Sequence, residues 1–427
     1  MLLATRGPVK AAQGVERPSR LRQALEPPTH DALVLDAGLR QSLVTVRSLG
    51  RRGLAVAALA SSGNTASAGR PPAFSSRWCR QRYLAPPYDH GTGPYLAYLE
   101  ALLDGAGVRV LIASSDGTVA LLRRHRERLE GRVRVALAKE PALAIASNKD
   151  LTLEIARHLG IGVPRGVGVC SVNDVAAAVR EVGLPAVVKP VESWVWAEQG
   201  GERLVCRLVT TPDEARRAVA ELTRQGGATL FQQWLPGRRE AVSVMYADGH
   251  VHARFAQWAK RTQPPLGGTS VLRQSIAVPE DIGEQTVRLV RAIDLEGYSE
   301  VEFRRDGAGA PHLMEINARL SASVEVAVRA GVDFPALLYQ WACGGPIDEV
   351  KAYRVGNWMR YLEGDLVATV AALRQRGRPG VAPPVPAIAG FLFSFFKPMG
   401  YDYLDWKDPL PAYVAALNFV QSRFSGR

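Results

Sequence analysis

Cysteine is scarce in this chain: only Cys79, Cys170, Cys206 and Cys343, beside seven histidines, in 427 residues. The four lie far apart, with no CxxC and no histidine pair nearby, which argues against a disulfide scaffold and a structural zinc site. The same pattern fits a reducing, cytoplasmic setting in which thiols serve as small buried hydrophobes. No apolar run reaches the ~20 residues of a membrane span, and the N-terminus lacks a signal-peptide core, so no stable membrane insertion is expected. There is no GxGxxG, which leaves little case for a dinucleotide site. No Ser/His/Asp or Cys/His set stands out, so no covalent protein nucleophile is expected.

What the chain has in excess is positive charge, a formal +12 from 53 basic and 41 acidic residues. No aromatic-interleaved basic cluster accompanies it, so the expected partner is a small anion such as a nucleotide phosphate and not nucleic acid. The length allows two to four folded units.

Residues 1–30 lack apolar periodicity and read as a disordered basic tail. From residue 31 an apolar strand, a helical stretch and a second strand follow in βαβ order, predicting a parallel sheet over 31–140. Asp36, Gly38, Ser114, Ser115 and Asp116 fall at C-terminal strand ends. Ligands collect there in α/β sheets, although ordinary capped turns use the same residues. Around 149–159 a helix starts on Lys149 and stops at Gly160. A later apolar strand ends in Lys189, and a lysine in such a strand needs an anionic partner. Segment 259–274, with its Pro–Pro and Gly–Gly pairs, reads as a long irregular loop carrying Arg273. In the remainder, 346–427, FLFSFFKP is expected to bury against the parallel-sheet unit.

Segment 298–323, YSEVEFRRDGAGAPHLMEINARLSAS, carries the strongest pattern. Two runs of period-two alternation flank a turn of Asp306, Gly307, Ala308, Gly309 and Ala310, predicting a β-hairpin. Glu302 lies on the face opposite Val301 and Phe303, while Glu315 and Asn317 share one face, away from Met314 and Ile316. A turn centred on Ala308 and Gly309 sets Glu302 across from Glu315, beside Arg319. Facing carboxylates are unfavourable unless a cation sits between them. Carboxylate and amide oxygens suit Mg2+, with Mn2+ as an alternative.

VEF…LMEINARLSAS followed by AGVDFP resembles the metal-binding end of the ATP-grasp superfamily, and within it the predicted ATP-dependent carboligases. The resemblance runs from about residue 31 to the C-terminus and is strongest over 185–335. It implies an α/β ATP-grasp fold in which two α+β units clasp ATP, preceded by a Rossmann-like domain and followed by a helical C-terminal extension. The implied boundaries are 31–140, 141–345 (lid unit about 150–231, Mg-binding unit about 236–345) and 346–427. It also implies site roles. Lys149, in a stretch like the superfamily's NK/DK signature, and Lys189 would hold phosphates. Gln232, Gln233, Trp234 and Leu235 would form the adenine hinge and Glu240 would meet the ribose. Glu302, Glu315 and Asn317 would hold Mg2+, and Arg319 would face the transferred phosphate. The 259–274 segment resembles a P-P-x-G-G-x-S loop of the carboligase group, which would make Arg273 a catalytic residue for an acyl phosphate or carboxylate. The phosphate-covering loop falls at 192–202 and departs from the family in having Trp194 and Trp196 and only one Gly–Gly pair.

The implied reaction activates a small-molecule carboxylate with ATP and joins it to an amine, releasing ADP and phosphate. A small-molecule kinase and a non-catalytic nucleotide sensor are the alternatives, and a homodimer is an open option.

Overall fold

The computed structural model describes residues 29–62, 69–197, 200–224, 227–265 and 267–424. Nearly all of the predicted tail, 1–28, lies outside them.

Five strands open the chain: β1 (His30–Val34), β2 (Val56–Ser61), β3 (Cys79–Ala85), β4 (Val108–Ile112) and β5 (Arg134–Val135). They pair in parallel in the order β3-β2-β1-β4-β5. The inner strands β1, β2 and β4 are mostly buried and read as apolar runs, while the edge strand β3, CRQRYLA, is largely exposed. Leu33 and Leu111 enter one core, while Ala32, Val34, Val110 and Ile112 enter the other. Strand order reverses between β1 and β4, which brings their C-terminal ends together. There Asp36, at φ 57°, accepts hydrogen bonds from the Ser114 N–H at 3.1 Å and the Ser115 and Thr118 hydroxyls at 3.1 and 2.6 Å. The knot fixes the turn that presents Asp116 as the first residue of the helix Asp116–Arg124, itself closed by a Ser115/Thr118 capping box.

Next come β6 (Gly166–Val169), β7 (Ala186–Pro190), the hairpin β8 (Trp194–Ala197) and β9 (Gly200–Arg203), then β10 (Arg207–Val209) and β11 (Thr229–Gln233). The predicted phosphate-covering loop is thus a two-stranded hairpin. Strands β10-β7-β11-β6 form an antiparallel sheet with a separate core around Val169, Val188, Leu222 and Phe231.

The third sheet is built on β12 (Arg239–Ala247), β13 (His250–Gln263), β14 (Thr269–Ile276), β15 (Gly297–Arg305) and β16 (Pro311–Asn317), extended by β17 (Trp358–Arg360) and β18 (Gly400–Tyr401). Its order is β16-β15-β12-β13-β14-β17-β18. The expected long loop at 259–274 is mostly ladder. Register shifts around Arg261 absorb the mismatch between β13 and β14, and the proline and glycine pairs are confined to the turn.

The C-terminal part is a clamp. Asp402, Asp405 and Asp408 pair with Arg40, Arg51 and Arg47 on the helix Arg40–Arg51 of the parallel-sheet unit. Asp402 also binds Arg273 of β14, at 2.5 Å, so one carboxylate ties the first sheet's helix to the third sheet. The expected burial of FLFSFFKP is overturned. Its helix, Pro384–Phe393, turns only Ala387 fully inward, and Phe393 and Phe396 are 67% and 84% exposed. Arg360, itself paired with Asp365, holds this segment, donating to the Phe391 carbonyl at 3.0 Å and lying over the Phe391 and Phe395 rings. No helix among the described residues is long and apolar enough to cross a membrane.

Candidate active site

The hairpin has the predicted register. Glu302 faces Glu315 and Glu300 faces Asn317 across β15 and β16, and a bulge follows between Glu302 and Phe303. Neighbouring β12 adds Arg239, which donates to Glu302 at 2.5 Å, and the Asn317 amide approaches the same oxygen at 3.4 Å. Burial pushes the Glu302 carboxyl up to about 7; Arg239 opposes this, and Glu315 and Glu300 add to it. Glu315 shifts the other way: burial works against its charge, but Lys149, Lys189 and Arg239 hold it below the usual carboxylate range. A buried carboxylate pushed upward beside another is short of positive charge. With the Asn317 amide, these oxygens fit a hard divalent cation.

Lys149 begins the helix Lys149–His158, whose N-cap Asn148 accepts from the Asp150 and Leu151 N–H groups. Its ammonium donates to the Ser193 hydroxyl at 3.0 Å and lies 3.7 Å from Glu315. Lys189 reaches the same place from β7. Burial holds its pKa down against Cys206 and Glu315, and its one hydrogen bond among the described residues is to the Met314 thioether at 3.8 Å. Two ammonium groups converging on the carboxylate pair fit the oxygens of a polyphosphate.

Gln232 and Gln233 end β11, and Trp234 and Leu235 begin the link to β12, so all four lie at the crossing between the second and third sheets. Buried Gln232 Oε1 and Trp234 Nε1 have no hydrogen-bond partner among the described residues. Arg319 donates to Asp116 at 2.6 Å and to the Asn317 amide oxygen at 3.4 Å. Asp116 thus crosses from the parallel-sheet unit to orient the arginine beside the Glu302–Glu315 pair.

Two predicted site residues need correction. Glu240 is paired with Phe303, one position from the Ala241–Glu302 pair, so the pleat turns it to the opposite face from Glu302. It is buried between Arg305 at 2.7 Å and Arg238 at 3.0 Å. Arg273 lies within β14, fully buried, with its guanidinium held by Asp402 and the Ser323 carbonyl. Its role is to join sheet and clamp.

Sequence reading missed Arg239 and Arg304. Both share the face of Glu302, through the Arg239–Arg304 pairing, and Arg304 lies 5.9 Å from the Trp234 ring. Burial, with Arg239 adding, pulls the Arg304 guanidinium down to about 10, and its Nε has no partner among the described residues. The alternation that identified Glu302 contained the signal, since Arg304 is two residues on.

Lys189→Ala is expected to weaken binding of a non-hydrolysable Mg2+–ATP analogue about 10–100-fold, the worth of one charge-assisted contact. Titration calorimetry measures it, and circular dichroism checks the fold.

Residues 228–364 match the family model described as ATP-grasp in the biosynthetic pathway with Ter operon. A D-alanine–D-alanine ligase of Pseudomonas entomophila is 27% identical over 215 residues, covering 46% of this chain and 64% of that enzyme. The match thus spans just under two thirds of the relative's length. Among solved structures, a biotin carboxylase–β,γ-ATP complex from Campylobacter jejuni superposes with TM-score 0.60 at 14% identity, covering 77% of this chain and 74% of that one. An L-amino acid ligase from Bacillus licheniformis gives 0.57 at 17%, covering 75% and 77%.

Proposed function

Since this chain has the ATP-grasp fold, we propose that it is an ATP-dependent ligase that joins a small-molecule carboxylate to an amine and releases ADP and phosphate. The observation that carries the reading is the Glu302–Glu315 pair facing across one hairpin, with Lys149 3.7 Å from Glu315 and Lys189 alongside. The solved L-amino acid ligase of similar fold supports it.

The nucleotide lies between the second and third sheets, with its base at Gln232–Leu235 and its phosphates under Lys149, Lys189 and Arg304. Glu302, Glu315 and Asn317 would hold Mg2+, which when bound would neutralise phosphate charge and ease the approach of a carboxylate oxygen to the γ-phosphorus. Lys149 and Lys189 orient the phosphate chain for in-line attack. Arg319, fixed by Asp116, faces the oxygens on which charge builds up. Attack on the γ-phosphorus expels ADP and gives an acyl phosphate. The amine then adds to the acyl carbon and expels phosphate.

The test is Mg2+-dependent ADP release by the purified chain, screened against paired pools of carboxylates and amines. Release requiring one member of each pool establishes the ligase. Release with a single hydroxylated compound and a stable phosphoester makes it a kinase. Tight Mg2+–ATP binding without release in any pool leaves a sensor.

A further inference from the structure

The FLFSFFKP segment takes no part in the site described above. In the helix Pro384–Phe393, Val385, Ile388 and Leu392 stand three and four residues apart, so they share one face, and they are 76%, 44% and 53% exposed. The turn Ser394–Phe396 continues the exposed run with Phe395 and Phe396. From inside, Arg360 grips the segment, its guanidinium 4.4 and 4.3 Å from the centres of the Phe391 and Phe395 rings. The backbone is therefore fixed while the apolar side meets solvent, and a patch of this kind marks a contact surface.

Cations rim this face. Exposed Lys397 follows Phe396 directly, and its ammonium lies 5.1 Å from the centre of the half-buried Trp358 ring. Exposed Lys260 of β13 lies 5.7 Å from the same ring. Burial pulls the Lys260 pKa below the ordinary lysine range, and Lys397 and Arg261 pull it further. Buried Asp365 is already shared by Arg261 at 2.6 Å and Arg360 at 2.7 Å. Between Asp365 and Asp402 the chain has no acidic residue but carries Arg374, Arg376, Arg378 and Lys397. Of these, Arg378 pairs with Glu214. Two lysines thus crowd beside an indole and an apolar face, short of negative charge.

That combination selects the occupant. A second copy of the chain would set the same acid-free stretch against itself across a two-fold axis, cation facing cation. A nucleic acid stacks on flat aromatic faces, and Val385, Ile388 and Leu392 offer it nothing to pair with. An anionic bilayer meets both halves of the surface. Apolar side chains enter its acyl boundary, ammonium groups stay with its headgroups, and a tryptophan suits the level between them.

We propose that the helix Pro384–Phe393 and the turn that ends on Lys397 form a docking surface for an anionic lipid bilayer, on which the chain lies without spanning it. Leu392, Phe393 and Phe396 enter the acyl boundary, and Lys260 and Lys397 hold headgroup phosphates. The surface stands independently of the ligase reading.

The test is co-sedimentation of the full chain at low salt with vesicles of phosphatidylglycerol and phosphatidylcholine in about equal parts, and with phosphatidylcholine alone. Binding to the anionic vesicles should be tighter by about tenfold or more. Phe393→Ser with Phe396→Ser keeps every charge and should weaken that binding by about tenfold or more. Lys260→Gln and Lys397→Gln should each weaken it about fivefold, the worth of one basic residue at an anionic surface. Leu84→Ser, which removes an exposed apolar side chain on the edge strand β3, should change nothing. Circular dichroism checks each fold. No binding to the anionic vesicles overturns the proposal. So does binding that survives the double phenylalanine change, since that is general attraction of a +12 chain to negative charge. A dimer in sedimentation velocity that the same change dissolves, without vesicle binding, overturns it too and gives the face to a second copy.

Discussion

Glu315→Ala should lower Mg2+-dependent ADP release about 10²–10³-fold, the scale set by removing one group that meets transition-state charge. The loss has two sources. The hairpin keeps Glu302 and Asn317 but loses the facing oxygens, which weakens the hold on the metal. Lys149 and Lys189, both close to that carboxylate, also lose the charge that keeps two ammonium groups compatible in one buried place. Extra Mg2+ should restore only the first part, so activity at saturating metal should stay well below wild type. Glu349→Ala is the matched control. That carboxylate is 48% exposed and paired with Lys351 and His250, and a surface change of this kind stays within about 0.5 kcal/mol. Equal activity of the Glu315 variant and wild type would remove the hairpin from the mechanism.

Asp402→Asn should cost about 3–5 kcal/mol of stability, the penalty for leaving buried charge unpaired. Arg40, on a helix of the parallel-sheet unit, and Arg273, on β14, converge on Asp402 with side-chain exposures of 9% and 0%, and an amide cannot balance two guanidiniums. Asp405→Asn should cost only ~0–1 kcal/mol, because its partner Arg51 is 35% exposed and solvent screens the pair. Denaturant midpoints of the two variants at pH 7 make the comparison. A pH series adds a second check. Burial works against the Asp402 charge, but Arg273 and Arg40 hold its carboxyl below the usual range. A depressed carboxylate contributes stability above its unfolded pKa of about 3.9 and loses it as pH falls through the folded value. The gap between wild type and Asp402→Asn should therefore narrow as pH drops below about 4.

The readable parts of the molecule were those decided by neighbours in sequence. Alternation with period two and a five-residue turn settle which side chains of 298–317 share a face, so the Glu302–Glu315 pairing was visible before any fold. Asn148 before Lys149 marks a helix start in the same local way, and apolar strands separated by a helix announce the parallel sheet.

Faces fail where register depends on a partner strand. Glu240 follows two arginines, and only its pairing opposite Phe303 shows that Arg239, not Glu240, points at Glu302. Arg273 looked like a loop arginine because its partner Asp402 is 129 residues away. The Trp194 ring lies against Gly117 of the helix Asp116–Arg124 as well as Gly201 of its own hairpin, and the first contact has no local signal. The sequence by itself determined the chemistry of the hairpin, because hydrogen bonding and side-chain direction along a strand are local. Only the tertiary structure decided which charges meet, because those contacts join segments brought together by burial of the shared cores.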